Sequence, residues 1–320
     1  METDLEKERE VVEELEEEAE EDAYVPPFAV LVTGAAGKLG TVLVAQLLAR
    51  SEQWRTRLLL TDVCAPAADS SAAIAGLPFL AADLGDAAQT AALEAWAVAR
   101  GCGAVVHLGA VSTEQCFERV LGANIVGVHG VYAAAARHGW RVVYASSNHA
   151  VGLHARSERL DAACALLPDG EYGLSKAYGE LVARTCWLKR GVPSVVLRIG
   201  SCCAQPADRR MLSTWLSHAD FVRLVVCALR QLAAGCARGR PAEPLGVRVV
   251  WGASANTASF YAHDDRAALG WAPRDSADAY TATFCSDAPR DPVAEHYQGG
   301  AFAAIDNTHG VPPSFCYPSQ

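Results

Sequence analysis

The residues best suited to acid–base chemistry are a tyrosine and a lysine one helical turn apart. Tyr172 and Lys176 belong to the stretch "YGLSK", and a spacing of four puts both side chains on one face of a helix. A nearby ammonium group is expected to lower the phenol pKa from about 10 toward neutrality, which would make Tyr172 a usable base. Because this pair is common by chance, its meaning depends on the elements around it.

A polar stretch, "SSNH" (146–149), follows the apolar run "RVVYA", 25 residues before Tyr172 when counted from Ser147. Taken alone, it is a turn, a nucleophile with its base, or a polar cradle for a substrate. A serine hydrolase is the weakest of these interpretations, because the Gly-x-Ser-x-Gly elbow is missing.

A glycine-rich turn, "TGAAGKLG" (33–40), joins an apolar strand candidate to a helix candidate. Glycines there allow the backbone to approach a diphosphate, whose charge meets the N–H groups of the helix N-terminus. The next strand ends at Asp62, 22 residues past Gly40, where a carboxylate accepts hydrogen bonds from ribose hydroxyls and repels a 2′-phosphate. Asp83 follows the third strand and either meets the adenine or caps the next helix. The pattern therefore predicts NAD rather than NADP, with a plain structural turn as the alternative.

Short apolar runs alternate with longer amphipathic ones from Phe28 onward. Strands are predicted at 28–33, 57–62, 77–83, 104–109, 141–146, 194–199 and 246–251, with helices at 39–50, 87–100, 123–139 and 175–191. This alternation predicts an α/β fold, a Rossmann-type doubly wound parallel sheet covered on both faces. One dehydrogenase domain is expected over 28–306, with a small C-terminal substrate-binding portion whose elements lie mainly at 201–285.

The charge is concentrated at the N-terminus. Residues 1–22 carry 13 acids against two bases, while the rest of the chain has 24 acids and 25 bases. The body has no basic footprint for nucleic acid. Segment 1–27 is either a solvated acidic extension or a partner-binding helix. A surface loop is expected at 235–246 and a tail at 307–320.

Eleven cysteines are scattered without zinc-type spacing, so no metal site is predicted. We expect them to be reduced and mostly buried, in a cytoplasmic protein without a membrane span. Cys202 and Cys203, which are adjacent, would be sensitive to oxidation only if exposed.

The motifs together resemble the NAD-dependent uronate dehydrogenases of the extended short-chain dehydrogenase/reductase superfamily. Besides those above, the resemblance is carried by "VHLGAVSTEQCFE", "NIVGVHGVYAAA", "LRIGSC", "RRMLSTWLSHADFV" and "YQGGAF", and it spans about Phe28 to Asp306. The stretches "SSNH" and "RMLSTWLSH" discriminate best, since sugar-nucleotide epimerases and dehydratases usually carry "VYG" after the serine strand.

The resemblance implies oxidation of the C1 hemiacetal of D-galacturonate or D-glucuronate, with hydride passing to NAD⁺ and an aldarolactone leaving. Tyr172 would be the base, Lys176 would hold the nicotinamide ribose and lower the phenol pKa, and Ser147 would bind the reacting oxygen. Asn124 would serve helix geometry and a proton relay, and Arg210 would bind the substrate carboxylate, with Arg209 the weaker candidate. The other implied substrate contacts are Ser112, Asn148, His149 and Ser201. The implied cofactor contacts are Gly34, Ala36, Gly37, Lys38, Leu39, Gly40, Asp62, Asp83, Leu84, Leu108, Gly109, Ala110, Asn124, Tyr172 and Lys176.

Two alternatives stay open at this point: a sugar-nucleotide epimerase or dehydratase of the same fold, and a catalytically inactive NAD-binding regulator. The sequence does not rank galacturonate against glucuronate, because the two sugars differ only at C4. We expect a homo-oligomer.

Overall fold

Seven parallel strands form the centre of the protein. The computed structural model describes residues 24–66, 74–237, 246–284 and 291–311. The strands are β1 (Ala29–Thr33), β2 (Leu58–Asp62), β3 (Phe79–Ala81), β4 (Cys102–His107), β5 (Arg141–Ser147), β6 (Ser194–Ile199) and β9 (Val247–Gly252). They lie in the order β3–β2–β1–β4–β5–β6–β9, and every neighbouring pair is parallel. The strand order reverses between β1 and β4, and a doubly wound sheet opens a ligand crevice at the carboxyl ends of the strands at such a point.

Helices connect the strands. They are α1 (Lys38–Arg50), α2 (Ala87–Val98), α3 (Phe117–Val120), α4 (Val128–His138), α5 (Glu171–Arg190), α6 (Met211–Thr214), α7 (His218–Ala237), α8 (Arg266–Leu269), α9 (Pro292–His296) and α10 (Ala301–Ala304). A π-helical segment, Leu121–Gly127, joins α3 to α4, and single 3₁₀ segments span Glu52–Thr56, Asn148–Val151 and Ala277–Phe284. A small parallel pair, β7 (Ser201–Cys202) and β8 (Trp215–Leu216), flanks the carboxyl end of β6.

The sheet is covered on both faces, each with its own apolar core. On one face α1 and α7 pack through residues such as Leu43 and Phe221. On the other, α2, α4 and α5 contribute residues such as Ala97, Tyr132 and Ala183. The doubly wound fold class predicted from the alternating pattern is therefore confirmed.

All seven predicted strands are present, and the main helices lie within a few residues of their predicted positions. The structure differs at the start of the domain, because Tyr24 and Val25 already pack against the core. It also differs near residue 235, because α7 continues through Ala237. Most of the predicted acidic extension, most of the 235–246 loop and the end of the 307–320 tail lie outside the described residues.

The expectation that most cysteines are buried is wrong for the described ones. Cys102, Cys186 and Cys227 are buried, whereas Cys64 and Cys116 are exposed and Cys164, Cys202 and Cys203 are half-buried. Burial still raises the pKa of the thiols of both Cys202 and Cys203.

Within the described ranges, no helix has the length and apolarity to cross a bilayer. The same ranges hold no group of three or more His, Cys, Asp or Glu side chains arranged to bind a metal.

Candidate active site

A cleft of about 590 Å³ opens at the carboxyl ends of β1, β4, β5 and β6. Most of the residues singled out from the sequence line it: Gly34, Gly37, Lys38, Leu39, Gly40, Asp62, Leu108, Gly109, Ala110, Ser112, Ser147, Asn148, His149, Tyr172, Lys176, Ser201 and Arg210. A smaller cavity of about 170 Å³ shares Gly34, Asp62, Gly109 and Ala110 with the cleft and adds Asp83 and Leu84. Ala36 and Asn124 line neither of these two cavities.

The glycine-rich turn is built for close approach of a ligand to the backbone. Gly34 has a φ of 69°, and a Cβ there would lie 2.7 Å from the backbone nitrogen of Gly109. A Cβ on Gly40 would overlap the carbonyl oxygen of Gly34, so α1 can start directly beneath the turn only with glycine at this position. The turn leaves the N-terminus of α1 facing the cleft, as diphosphate binding requires.

Two carboxylates stand at the far end of this turn. Asp62 accepts hydrogen bonds from the backbone N–H of Ala36 at 2.9 Å and of Val63 at 2.7 Å. Asp83 accepts one from Gly85 N–H at 2.8 Å, while the cap of α2 is made by Asp86. Of the two readings of Asp83, helix capping is thus wrong, and its side chain lines the same cavity as Asp62. These features fit a dinucleotide whose adenosine end lies at β2 and β3.

Tyr172 and Lys176 lie in the first turns of α5, both buried. The Lys176 Nζ donates to the carbonyl oxygen of Ala145 at 2.8 Å and lies 5.7 Å from the centre of the Tyr172 ring. Burial lowers the pKa of Lys176 to about 8. Burial also raises the pKa of Tyr172 to about 12. The Asp169 charge raises this pKa further, whereas the side-chain hydrogen bond with Ser147 lowers it. The expectation that the phenol pKa lies near neutrality is therefore wrong for the protein alone, because desolvation dominates it.

Glu114, which the sequence did not single out, fixes the start of α5. Its Oε1 accepts from Glu171 N–H at 2.8 Å and its Oε2 from Tyr172 N–H at 3.1 Å. A carboxylate at a helix N-terminus satisfies free N–H groups and complements the helix dipole. This contact ties the loop that carries Ser112 to the helix that carries Tyr172.

Asn124 lies in the π-helical segment and is almost fully buried. Its Oδ1 accepts from Val111 N–H at 2.8 Å, and its Nδ2 donates to the Val111 carbonyl oxygen at 3.0 Å and to Ser175 Oγ at 2.9 Å. These bonds use both ends of the amide within the protein and link the loop after β4 to α5.

Arg210 provides the cationic end of the cleft. Its Nε donates to the Gln298 carbonyl oxygen. When the Asn148 amide is oriented to satisfy its neighbours, its oxygen accepts from Arg210 Nη2 and its nitrogen donates to the Ile199 carbonyl oxygen at 3.1 Å. Burial lowers the pKa of the guanidinium, offset in part by Asp208 and Asp169 at longer range. Among the described residues no carboxylate lies within 4 Å of it, so this cation faces the cleft without an ion-pair partner.

The remaining predicted substrate residues surround Arg210 and Tyr172. Ser112 lies on the exposed rim, and the Ser201 Oγ shares a 2.9 Å hydrogen bond with Thr214 Oγ1. His149 stacks on Phe302 with ring centres 4.2 Å apart and meets the edge of Tyr172 at 5.8 Å. Phe302 ends the stretch "YQGGAF" that carries part of the resemblance, but no role was predicted for it, since it reaches the cleft only because α10 folds back across the site.

The comparisons with known proteins agree with this geometry. A model of the NAD dependent epimerase/dehydratase family matches residues 30–220. The chain is 40% identical over 283 residues to a uronate dehydrogenase of Agrobacterium fabrum, covering 87% of this chain and 97% of that protein. The chain belongs to the uronate dehydrogenase family.

Two crystal structures superimpose on the protein over the same 87% of the chain. A uronate dehydrogenase variant from Agrobacterium tumefaciens complexed with NAD aligns with a TM-score of 0.73 at 37% identity, covering 97% of that chain. A glucuronic acid dehydrogenase from Chromohalobacter salexigens gives the same TM-score, identity and coverage. Membership of this family confirms the prediction of an NAD-dependent oxidoreductase.

Proposed function

We propose that the protein oxidises C1 of D-galacturonate or D-glucuronate to the corresponding aldarolactone. The observation that carries this proposal is the half-buried Arg210, whose guanidinium faces the cleft beside Tyr172 and Ser147 without a carboxylate partner among the described residues. A desolvated cation of this kind is costly unless a ligand anion pairs with it. A uronate brings a carboxylate for Arg210 at one end of the sugar and a hydroxyl for Tyr172 at the other.

The cofactor would lie along the glycine-rich turn, with Asp62 at its adenosine ribose and Lys176 at its nicotinamide ribose. When bound, NAD⁺ accepts the hydride from C1 and brings a positively charged nicotinamide ring. Lys176 is held in place by Ala145, and rotation of its Nζ off this carbonyl oxygen would let it donate to a ribose hydroxyl.

Tyr172 would take the proton of the C1 hydroxyl, and Ser147 would hold the reacting oxygen. Only the phenolate form of Tyr172 can accept this proton. With a pKa of about 12, the phenol ionises near neutral pH only if its phenolate is stabilised further. The Ser147 hydrogen bond already works in this direction, and positive charge beside the ring would add to it. Asn124 would act as a positioning residue, because all its bonds hold the Val111 loop and Ser175.

The test is NADH formation with both uronates. Galactose and glucose serve as matched neutral sugars, and a uridine diphosphate sugar represents the epimerase alternative. We expect turnover with at least one uronate and far less with either neutral sugar. Turnover of the nucleotide sugar alone would reject the proposal.

We also propose a homo-oligomer, paired through the outer face of α5. Leu174, Leu181 and Leu188 are exposed at intervals of seven residues, so they form one apolar stripe along the helix. A second copy of the same helix presents the same stripe, as a two-fold interface requires. Light scattering should show the wild type as an oligomer and Leu181→Glu as a monomer, and a monomeric wild type would reject the pairing.

A further inference from the structure

Asp169 is a buried carboxylate that neither the motifs nor the proposed reaction uses. Its side chain is fully buried, and Oδ2 lies 2.6 Å from the Nδ1 of His149. The other oxygen, Oδ1, has no hydrogen-bond partner among the described residues. Burying a carboxylate with one oxygen unsatisfied lowers stability, so stability alone does not account for this residue.

Three glycines enclose the Asp169 side chain. A Cβ on Gly152 or on Gly299 would overlap its carboxylate, and one on Gly173 would lie 2.8 Å from Oδ1. These glycines come from three separate parts of the chain: the turn after β5, the helix α5, and the segment before α10. The enclosure leaves the carboxylate no room to rotate away from His149.

The His149 ring is held on its other sides as well. Phe302 stacks on its face at 4.2 Å, and the His149 backbone N–H donates to Ser147 Oγ at 3.2 Å. Because a carboxylate only accepts hydrogen bonds, Nδ1 must carry the proton that faces Asp169. In the neutral ring this leaves Nε2 as an acceptor, and His149 lines the cleft.

We propose that Asp169 is a positioning residue for uronate binding, which fixes His149 in the tautomer whose Nε2 accepts a hydrogen bond from a sugar hydroxyl. The inference rests on the proposed function, since the hydroxyl belongs to the uronate. The charged and titratable groups that share this corner are Tyr172, Arg210 and Glu114. Of these, Asp169 acts on Tyr172 and Arg210 only at long range, whereas its contact with His149 is direct.

The experiment is a double-mutant cycle with Asp169→Asn and His149→Ala, read out as uronate KM and kcat. Asparagine keeps the size of the side chain, so the enclosed volume is unchanged, but its Nδ2 can donate to Nδ1 and stabilise the wrong tautomer. We expect Asp169→Asn to raise the uronate KM by about tenfold, mainly without loss of kcat. In the His149→Ala background the same change should alter KM by less than about twofold.

The matched control is Asp161→Asn, an exposed aspartate whose Oδ1 accepts from Ala163 N–H at 2.9 Å away from the cleft. It should leave both constants unchanged. An unaltered KM in Asp169→Asn, or an equal loss in both backgrounds, would overturn the proposal. Inactivity of the wild type on both uronates would instead reject the proposed function.

A second measurement reads the ring of His149 in the wild type itself. Long-range ¹H–¹⁵N correlation spectra of the wild type, with the His149 signals assigned from their loss in His149→Gln, report which ring nitrogen carries the proton. We expect a protonated Nδ1 and an unprotonated Nε2. A ring with the proton on Nε2 alone would overturn the role of Asp169 whatever the kinetics show.

Discussion

Replacing Arg210 tests the carboxylate site most directly. The guanidinium has five N–H groups, and two of them are used by the Gln298 carbonyl oxygen and the Asn148 amide. The others are available to a ligand. Arg210→Ala therefore removes the only charged donor proposed for the uronate carboxylate, while Tyr172, Lys176 and the glycine-rich turn are left intact.

The expected loss can be worked from the bonds involved. A hydrogen bond to a charged group contributes roughly 1.5–3 kcal/mol, and each 1.4 kcal/mol is about tenfold in affinity. One such bond gives a rise in uronate KM of about 10- to 150-fold, and a bidentate contact belongs at the upper end. Arg210→Lys should recover part of the loss, because lysine keeps the charge but not the planar pair of donors.

The assay is initial-rate NADH formation with a uronate and with the matched neutral hexose, alongside the dissociation constant for NAD. Arg210→Ala should reduce the preference for the uronate over the hexose by the same factor by which its uronate KM rises. The NAD constant should not change. Arg209→Ala, one residue away and exposed, is the control and should behave as wild type. An unchanged uronate KM in Arg210→Ala would exclude Arg210 from the carboxylate site.

Three further predictions concern α5. Tyr172→Phe should abolish turnover while NAD binding, followed by calorimetry, is retained, and residual turnover near wild type would exclude Tyr172 as the base. Lys176→Met should raise the free energy of unfolding at pH 7 by about 2 kcal/mol, measured in denaturant titrations. The gain arises because burial lowers the lysine pKa from 10.5 to about 8, and loss of the hydrogen bond to Ala145 offsets part of it. Since the folded pKa lies below the unfolded one, the wild type regains this stability as pH rises from about 8 to 10.5, so the difference should shrink over that window. Glu114→Ala should cost about 1 kcal/mol of stability and lower kcat, with Glu114→Gln intermediate, since the alanine leaves the N–H groups of Glu171 and Tyr172 without their acceptor; thermal unfolding equal to wild type would contradict it.

The predictable part of the fold is the part governed by local pattern. Buried parallel strands are short continuous apolar runs, so β1 and β5 stand out, and the turn at Gly34 follows from steric limits on the backbone. The Tyr172–Lys176 pair is equally local. The π-helical segment at Leu121–Gly127 was not predicted, because it spans only seven residues, which is too short to set an apolar periodicity of its own.

The less predictable part depends on contacts far apart in sequence. Phe302 reaches the cleft, and the Gln298 carbonyl oxygen reaches Arg210, only because the segment after β9 returns to the loop after β5, where Gln298 N–H donates to the His154 carbonyl oxygen at 2.9 Å. Asp169 was overlooked for the same reason, since its enclosing glycines are distant from one another in the chain. The pKa of Tyr172 was mispredicted because burial, which dominates it, is a property of the packed site.

The charges of the cleft explain why a sugar acid suits it better than a neutral sugar. Lys176 is buried and Arg210 is half-buried, desolvation lowers the pKa of both cations, and neither has a carboxylate within ion-pair distance among the described residues. The nearby anion, Asp169, is already committed to His149. The folded protein therefore carries an uncompensated electrostatic cost at this site, which binding of an anionic substrate would reduce and binding of a neutral hexose would not. Preference for a uronate over a neutral hexose on this basis needs no additional contact with the sugar ring. We therefore expect the selectivity for uronates to depend on Arg210 rather than on Tyr172 and Ser147, which contact the C1 hydroxyl in the proposed reaction.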